Sequence, residues 1–255
     1  MRSWSVTRFA REHRLNGDVD IAATAALIGD GARAAMLLAL AGGQPLSASD
    51  LARRASIRPS TASSHLARLT AGGLLAVERQ GRERRYRLAN SAVADAVEAL
   101  AAIAPSRPVN SLSERDRWRA LRAARTCYDH LAGQLGVALF DALVARGALT
   151  GVEPGTPSTR KVRAGLGAVP IGPEAPEVFA RLGIDLGALQ QSRRQFATAC
   201  LDWSEEQPHL GGALGAALCA TCFANGWCRR HQGERAVVVT ESGREAFGEL
   251  FGLEW

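Results

Sequence analysis

Residues 59–88 decide the fold of the N-terminal part and read P-S-T-A-S-S-H-L-A-R-L-T-A-G-G-L-L-A-V-E-R-Q-G-R-E-R-R-Y-R-L. The first part predicts a helix from Pro59 to Thr70, because proline suits the first helical turn and apolar residues recur on one face. Gly72-Gly73 then ends the helix. The remainder predicts a β-hairpin whose tip lies at Gln80-Gly81.

The rest of that helix surface carries short hydroxyl side chains, one histidine and one arginine. Hydroxyl side chains permit close approach to phosphates and base edges, and arginine can form two hydrogen bonds to guanine. We therefore predict that this helix enters the major groove of double-stranded DNA. The residues expected to read the groove are Ser60, Thr61, Ser63, Ser64, His65 and Arg68. The hairpin residues expected to bind phosphate are Arg79, Arg82, Arg84 and Arg85.

The segments on either side complete a helix-turn-helix unit. Apolar periodicity predicts helices at 21–28, 34–40 and 48–55, the last of them capped by Ser47. A three-residue turn joins the third of these helices to the helix at Pro59, which is the geometry that places a second helix in a groove. Another helix, Ser91 to Ile103, follows the hairpin.

This arrangement resembles the winged helix-turn-helix repressors of the ArsR/SmtB type over about residues 19–104. The motifs that carry the resemblance are Pro59-Ser-Thr-Ala-Ser-Ser-His-Leu66, Ala71-Gly-Gly-Leu74 and the arginine-rich hairpin. The resemblance implies a homodimer paired through the first helix and the helix 91–103. It further implies a palindromic operator that is released when an effector binds, with no cofactor required for DNA binding.

The usual metal sites of such repressors are not recognisable here. The helix before the recognition helix, residues 48–55, has neither cysteine nor histidine. The helix after the wing offers Asp95 and Glu98 but no histidine. Sensing is therefore expected elsewhere in the chain, or it does not involve a metal.

Composition agrees with a DNA-binding protein of the cytoplasm. Apolar content of 47% and charged content of 22% are those of an ordinary globular protein. Of the net charge of +6, residues 1–104 hold +5, so we expect that part to meet a polyanion. Residues 1–18 predict a basic arm and not a secretory signal. Five irregularly spaced cysteines and the lack of a long uncharged apolar run predict a cytoplasmic location without membrane contact.

The second part of the chain contains an internal duplication. His-Leu-x-Gly-x-Leu-Gly-x-Ala-Leu occurs at 130–139 and again 79 residues later, and a Cys-x-Asp precedes each copy. The kept residues are Cys127, Asp129, His130, Cys200, Asp202 and His209, which we predict to bind the effector. Thiolate and imidazole suit a thiophilic metal or metalloid. An organic effector, a reactive thiol, or simple capping and packing roles remain open.

The kept glycines suggest symmetry between the copies. Gly133 and Gly136 share one helical face, as do Gly212 and Gly215. Because glycine inside a helix costs about 0.5–1 kcal/mol relative to alanine, two in each copy predict a close backbone approach. A pseudo-two-fold axis between the halves would bring the two Cys-x-Asp motifs opposite each other.

We predict an α+β fold, mainly helical with small hairpins, in which a linker (105–112) joins the DNA-binding domain to a duplicated effector-sensing domain (113–255). One long helix is expected from Ser111 to Gly147, followed by a strand at 159–163 and a loop at 165–176. The second half predicts helices at 186–202 and 209–224, a loop at 204–208, a hairpin over 227–240 and a final helix at 241–251. This order resembles a winged-helix unit that does not bind DNA.

Cys219, Cys222, Cys228 and His231 have the spacing of a zinc site. In the other copy the three cysteines correspond to Phe140, Leu143 and Leu149, which are all apolar. We therefore interpret these cysteines as core residues.

The function expected is that of a sequence-specific transcriptional regulator, a repressor released by an effector. An alternative is a DNA-bound regulator whose C-terminal domain docks a protein partner. A winged-helix methyltransferase-like enzyme is a further alternative, but the glycine-rich segment 165–172 contains Pro170 and does not fit a nucleotide-binding turn. We expect no catalytic residues.

Overall fold

A computed structural model of the chain describes residues 19–105, 108–151, 167–192, 194–231 and 234–255. The predicted basic arm at 1–18 and the predicted strand at 159–163 lie outside these residues. The described residues form two large hydrophobic cores, one in the N-terminal part (residues 19–105) and one in the C-terminal part (residues 108–255).

The N-terminal part has the predicted helices and hairpin in the predicted order, together with a short strand, β1 (Leu46–Ser47), that was not predicted. These are α1 (Ile21–Ile28), α2 (Gly31–Leu40), β1 (Leu46–Ser47), α3 (Ala48–Arg54), α4 (Pro59–Ala71), β2 (Leu75–Gln80), β3 (Glu83–Leu88) and α5 (Ser91–Ile103). The three strands form an antiparallel sheet in the order β1-β3-β2. This is the predicted winged helix-turn-helix within an α+β fold.

Local chemistry explains the boundaries of these elements. The hydroxyl of Ser47 accepts a hydrogen bond from the backbone N–H of Asp50, which caps α3 as predicted. Gly73, just after α4, has a φ of +73°, a left-handed conformation that favours glycine. Leu66, Leu69 and Leu88 are buried and hold α4 and the wing on one core.

The C-terminal part contains more strands than the sequence predicted. Its elements are α6 (Leu112–Ala123), β4 (Arg125–Cys127), β5 (His130–Ala132), α7 (Gly133–Ala145), β6 (Gly167–Ala168), α8 (Ala175–Arg181), α9 (Leu186–Gln190), β7 (Thr198–Leu201), β8 (Pro208–Gly211), α10 (Gly212–Ala224), β9 (Cys228–Arg230), β10 (Val237–Val239) and α11 (Glu241–Phe251). All strand pairs are antiparallel, in the orders β4-β5, β6-β7-β8 and β9-β10.

Several predicted elements are therefore wrong. The long helix from Ser111 to Gly147 is interrupted by the β4–β5 hairpin, and the helix predicted at 186–202 is replaced by short α9 and by β7. His209 lies in β8 and not in a helix, and the loop predicted at 165–176 contains β6 and the start of α8. Strands of two to four residues are too short to show the alternation of apolar and polar residues that marks a strand. The helical spacing of the apolar residues around them therefore led to the prediction of helices.

Other predicted elements of this part agree with the structure. Ser111 caps α6 by accepting a hydrogen bond from the backbone N–H of Glu114. The hairpin β9–β10 and the helix α11 lie within the predicted ranges. In each half, however, a hairpin leads directly into a helix, β4–β5 into α7 and β7–β8 into α10, which differs from the predicted helix-helix-hairpin-helix order of a winged-helix unit.

The glycines kept in both copies have two different roles. Gly133 and Gly212 begin α7 and α10 with φ near +75°, where other residues are strained. A Cβ on Gly136 would lie 3.4 Å from the Cβ of His209, and one on Gly215 would lie 3.2 Å from the Cβ of His130. The same Cβ atoms would lie closer still to their own half, 2.5 Å from the carbonyl oxygen of Leu131 and 2.2 Å from that of Leu210. Each helix therefore lies tightly on its own hairpin and in contact with the hairpin of the other half. The reciprocal pattern is that of a pseudo-two-fold axis.

The C-terminal part rests on the turn that follows α2. The backbone N–H of Tyr128 donates to the carbonyl oxygen of Ala41 at 2.6 Å, and the hydroxyl of Thr126 donates to that of Gly42 at 2.9 Å. A Cβ on Gly43 would overlap the carbonyl of Tyr128, so the two backbones touch. Arg235 also forms a largely buried ion pair with Glu98 of α5. These contacts tie β4 to the DNA-binding unit.

No single described helix is long and apolar enough to cross a membrane. Only α1 and α2 taken together reach that length and apolar content, and these two helices are bent by 88° at their junction.

Candidate functional sites

The first candidate site is the outer face of α4. The helix buries Ala62, Leu66 and Leu69 against the core. Its exposed polar side chains are Ser60, Thr61, Ser63, Ser64 and Arg68. This is the amphipathic division that the sequence predicted.

His65 lies differently from the other α4 residues expected to read DNA. Its side chain is mostly buried, with Nδ1 3.3 Å from Nη1 of Arg33 and 3.8 Å from a carboxylate oxygen of Asp30. These partners belong to α2 and its N-cap, so His65 helps to hold α4 on α2.

The wing presents arginines at its tip. Arg79 faces Arg84 across the β2–β3 pair, and Arg82 lies beside Gly81 in the turn. All three are exposed, and none forms an ion pair with another residue in the described part of the chain. Arg85 instead pairs with Glu83 at 3.0 Å and reaches the carbonyl oxygen of Pro45. Three of the four predicted phosphate-binding arginines are thus free to meet a ligand.

The second candidate site lies between the two halves of the C-terminal part. Strand pairing places Cys127 directly opposite His130 in β4–β5 and Cys200 directly opposite His209 in β7–β8. The two pairs share the same cross-strand relation although the separations along the chain differ. The six extra residues of the second copy only lengthen its hairpin.

The two cross-strand pairs meet in the interior. The sulfur atoms of Cys127 and Cys200 are 4.0 Å apart, and the Nε2 atoms of His130 and His209 are 3.2 Å apart. One ligand atom from each of the four residues lies within 4.8 Å of the others, and all four residues are buried. We refer to this group as the Cys/His cluster.

Each histidine has a carboxylate from its own copy behind it. Nδ1 of His130 is 3.4 Å from Asp129, and Nδ1 of His209 is 3.7 Å from Asp202. The Nδ1 atom of His209 is buried and lacks a hydrogen-bond partner among the described residues. Asp129 therefore orients the imidazole of His130, whereas Asp202 stands near His209 without a hydrogen bond to it.

The aspartates are in turn bound by arginines of the other half. Arg125, fully buried, pairs with Asp202 at 2.7 Å and lies over the ring of Trp203. Asp202 also accepts the backbone N–H of Gly133 at 2.6 Å. Burial favours the neutral acid, but the charge of Arg125 and the hydrogen bonds from Arg125 and Gly133 act together against it and hold the pKa of Asp202 well below its usual range.

Asp129 has a more open environment than Asp202. Arg194 donates to it at 2.6 Å, and both side chains are partly exposed. Burial acts to raise the pKa of Asp129, but the hydrogen bonds from His130 and Arg194 prevail and lower it.

At Cys127, contact with Cys200 and burial raise the pKa of the thiol well above its ordinary value. Without a bound cation, that thiol is neutral at neutral pH.

A cleft of about 360 Å³ leads to the cluster. His130 and Cys200 line it from the C-terminal part, and Ser91 and Asp95 of α5 line it from the N-terminal part. A ligand that enters this cleft would therefore contact both parts of the protein.

Sequence reasoning missed the two arginines that hold the aspartates. Arg125 directly precedes a predicted site motif, but nothing in its spacing distinguished it from the other arginines. The cysteines outside the duplicated motif, Cys219, Cys222 and Cys228, lie in the apolar core. His231 is instead exposed beside Glu234. The structure therefore does not gather these four residues into one site.

The fold and the exposed α4 face define a winged helix-turn-helix DNA-binding protein. A family model described as a helix-turn-helix domain matches residues 28–78. The uncharacterized HTH-type transcriptional regulator YdfF of Bacillus subtilis (strain 168) is 41% identical over 228 residues, covering 89% of this chain and 95% of the relative. The chain belongs to the HTH-type transcriptional regulators, and it is a DNA-binding regulator of transcription.

Solved structures similar to this chain match about a third of it. The cadmium metal-sensor CMTR from Mycobacterium tuberculosis is 27% identical, with a TM-score of 0.30, over 36% of this chain and 99% of that one. The winged helix-turn-helix domain of Mb0332 from Mycobacterium bovis, a possible ArsR-family transcriptional regulator, is 27% identical. It has a TM-score of 0.28 over 30% of this chain and 70% of that one.

Proposed function

We propose that the protein is a cytoplasmic, homodimeric repressor that binds a palindromic operator and leaves it when an effector binds in the C-terminal part. The observation that carries this proposal is the exposed, hydroxyl- and arginine-lined face of α4 beside three exposed wing arginines that form no ion pair with another described residue. Among HTH-type regulators, this is the surface that meets DNA.

The DNA contacts divide into two kinds. Ser60, Thr61, Ser63, Ser64 and Arg68 lie on the exposed face of α4, where they would read base edges and position the helix. Arg79, Arg82 and Arg84 would bind phosphates, which adds affinity but little sequence preference. His65 and Arg85 have protein partners, so we give them the role of positioning α4 and the wing.

The apolar surface supports a homodimer. α1 reads I-A-A-T-A-A-L-I, and the described residues of one chain leave none of it fully buried. In α5, Leu100 and Ile103 are 42% and 81% exposed. A second copy that packs α1 and α5 against their counterparts would remove this surface from water and place two α4 helices on one operator.

The effector is proposed to bind at the Cys/His cluster and its cleft. The turn between Cys127 and His130 carries Tyr128, whose ring packs with the core of the N-terminal part. A ligand that draws Cys127 and His130 together would act directly on this contact. That geometry links occupancy of the cluster to the position of the DNA-binding unit.

A salt titration of DNA binding tests the regulator assignment. Arg82→Ala with Arg84→Ala should weaken binding to all sequences and reduce the slope of log affinity against log salt by about 0.9 for each lost phosphate contact. Arg244→Ala, an exposed arginine of α11, is the matched control and should leave the slope unchanged. An unaltered slope in the wing variant would remove the proposed role of the wing.

A base-substitution series tests the role of α4. Arg68→Ala should relax the preference at the bases it contacts, with a loss of about 1–3 kcal/mol of discrimination. A uniform loss on every operator sequence would instead make Arg68 a phosphate contact.

Sedimentation of the full chain tests the dimer. Leu100→Lys together with Ile103→Lys should produce monomers, and they should also weaken operator binding because one half-site is lost. A wild-type monomer at micromolar concentration would refute the proposed pairing.

Operator binding that no added ligand weakens would favour the alternative in which the C-terminal part docks a protein.

A further inference from the structure

We propose that Cys127, His130, Cys200 and His209 bind one divalent thiophilic metal ion of the zinc type, in tetrahedral coordination. This inference names the chemical class of the effector, and only its regulatory consequence rests on the proposed function. The site itself depends on the geometry of the cluster alone.

The spacing of the four side chains fits a tetrahedron. Zinc bonds of about 2.3 Å to sulfur and about 2.0–2.1 Å to nitrogen predict edges of about 3.8 Å between two sulfurs and about 3.3 Å between two nitrogens. The corresponding distances in this structure are 4.0 Å and 3.2 Å. Small shifts of the four side chains would bring all of the ligand atoms to bonding distance.

The surroundings of the histidines also point to a metal. With Nε2 of both rings directed into the cluster, each Nδ1 faces a carboxylate, at 3.4 Å from Asp129 for His130 and at 3.7 Å from Asp202 for His209. Carboxylates at this position orient metal-binding histidines and raise their basicity. The buried, unpartnered Nδ1 of His209 would gain a defined role as a donor to Asp202.

Charge balance favours a divalent ion at this buried position. When the ion binds, each cysteine thiol gives up one proton to solvent and its sulfur forms a bond to the metal. A proton held on Nε2 of either histidine leaves for solvent or shifts to Nδ1, so that this nitrogen can also bond to the metal. Two thiolates, two neutral imidazoles and one M²⁺ together carry no net charge. A neutral complex avoids the large cost of placing an isolated charge in an apolar interior.

The sulfur atoms alone would also permit a disulfide, but a disulfide does not account for the histidines. Linking Cys127 to Cys200 would require the sulfurs to move from 4.0 Å to about 2.05 Å, and it would leave the two imidazoles without a ligand. The metal site uses all four residues, which are the four Cys and His positions kept in both copies.

The position of the site suggests how an ion would affect DNA binding. Coordination fixes both ends of the Tyr128-Asp129 turn, because Cys127 and His130 flank it. Tyr128 contacts the turn that follows α2. Metal binding is therefore expected to change the position of β4 on the N-terminal part and to weaken operator binding.

Cobalt and zinc titration of the purified, metal-free full chain tests the site. Co(II) should bind at one ion per chain with the intense visible absorption of tetrahedral thiolate coordination, and Zn(II) should displace it. Cys127→Ser, Cys200→Ser and His209→Gln should each reduce the affinity by at least about 100-fold, more than the loss of an outer partner costs. Cys219→Ala, a buried cysteine outside the cluster, should keep the Co(II) spectrum.

X-ray absorption of the zinc-loaded wild-type chain gives a test that needs no variant. Two sulfur ligands at about 2.3 Å and two nitrogen ligands at about 2.0 Å are expected. An all-oxygen shell, less than one ion per chain, or loss of binding in Cys219→Ala would overturn the proposal. A Cys127–Cys200 disulfide that forms equally fast with and without Zn(II) would also overturn it.

Operator binding, measured on the same samples as metal binding, distinguishes failure of the proposed metal site from failure of the proposed function. If the chain binds DNA but no metal, the metal site is wrong and the regulator stands. If the metal binds at the cluster and operator affinity does not change, the site stands and release by this effector is wrong.

Discussion

The two copies of the hairpin differ in their turns, although both place a cysteine opposite a histidine. In the first copy the turn is only Tyr128-Asp129, and Tyr128 has a left-handed φ of 58°. In the second copy the strands extend by one further pair, Leu201 with Pro208, and a longer loop joins them. The register is kept while the loop length changes, so the pairing is the property that both copies share.

The different turns serve different neighbours. The short first turn projects Tyr128 onto the N-terminal part. The longer second loop supplies Ser204, whose hydroxyl accepts a hydrogen bond from buried Arg125 at 2.8 Å. We conclude that the first copy connects the cluster to the DNA-binding unit, whereas the second stabilises the junction between the halves.

The largest expected effect concerns the two aspartates. Asp202→Asn removes the partner of fully buried Arg125 and should lower the free energy of unfolding by about 3–5 kcal/mol. Asp129→Asn breaks a partly exposed pair and should cost no more than about 1 kcal/mol. Denaturant unfolding of both variants measures the difference. Equal losses would show that the two copies are energetically alike.

The same comparison has a defined pH dependence. The folded-state pKa of Asp202 lies below its unfolded value, so its contribution is complete above about pH 4 and declines as the pH falls further. The stability gap between the wild type and Asp202→Asn should therefore be constant near neutral pH and shrink in acid. A gap that widens in acid would contradict the assigned ion pair.

Alanine substitutions of the helix glycines that both copies share test whether the two copies are equivalent. A Cβ at Gly136 would lie 2.5 Å from the carbonyl oxygen of Leu131, and the equivalent clash exists at Gly215. Gly136→Ala and Gly215→Ala should each cost about 1–3 kcal/mol. Gly248→Ala on α11 is the control, since its Cβ would meet nothing closer than 3.8 Å and should stabilise the helix by about 0.5–1 kcal/mol. Thermal unfolding of the three variants decides the comparison.

A smaller effect is expected on zinc affinity, which is measured separately from stability. Asp129→Asn removes the carboxylate behind His130 and should lower the zinc affinity by about 10–100-fold. Competition with a chromogenic chelator measures this change. An unchanged affinity would mean that Asp129 serves only its ion pair with Arg194.

The smallest effect should appear at the contact between the two parts. Tyr128→Ala removes a ring that packs on the N-terminal core but no ligand of the cluster. It should preserve zinc affinity while reducing the metal-dependent change in operator affinity, which is typically about 5–150-fold in coupled sites. If the variant keeps that change in full, the coupling would run through the ion pair of Arg235 with Glu98 and not through Tyr128.

Sequence patterns predicted the N-terminal part well because each element there has a strong local signal. Pro59 at the helix start, the Gly72-Gly73 stop and the hairpin tip at Gln80-Gly81 act over a few residues, and the structure follows them. The C-terminal hairpins lacked such a signal. Their strands are short, and the apolar residues on both sides continued a helical spacing.

The residues of the Cys/His cluster were identifiable from the internal duplication, but their arrangement was not. The sequence alone determined the DNA-binding helix, the wing and the repeated Cys, Asp and His. Tertiary structure alone decided that the two histidines face each other, that Arg125 is buried on Asp202, and that His65 turns towards α2. Local patterns encode elements of secondary structure, whereas contacts between residues some 70 or 80 positions apart depend on how two halves pack across an axis that no local pattern describes.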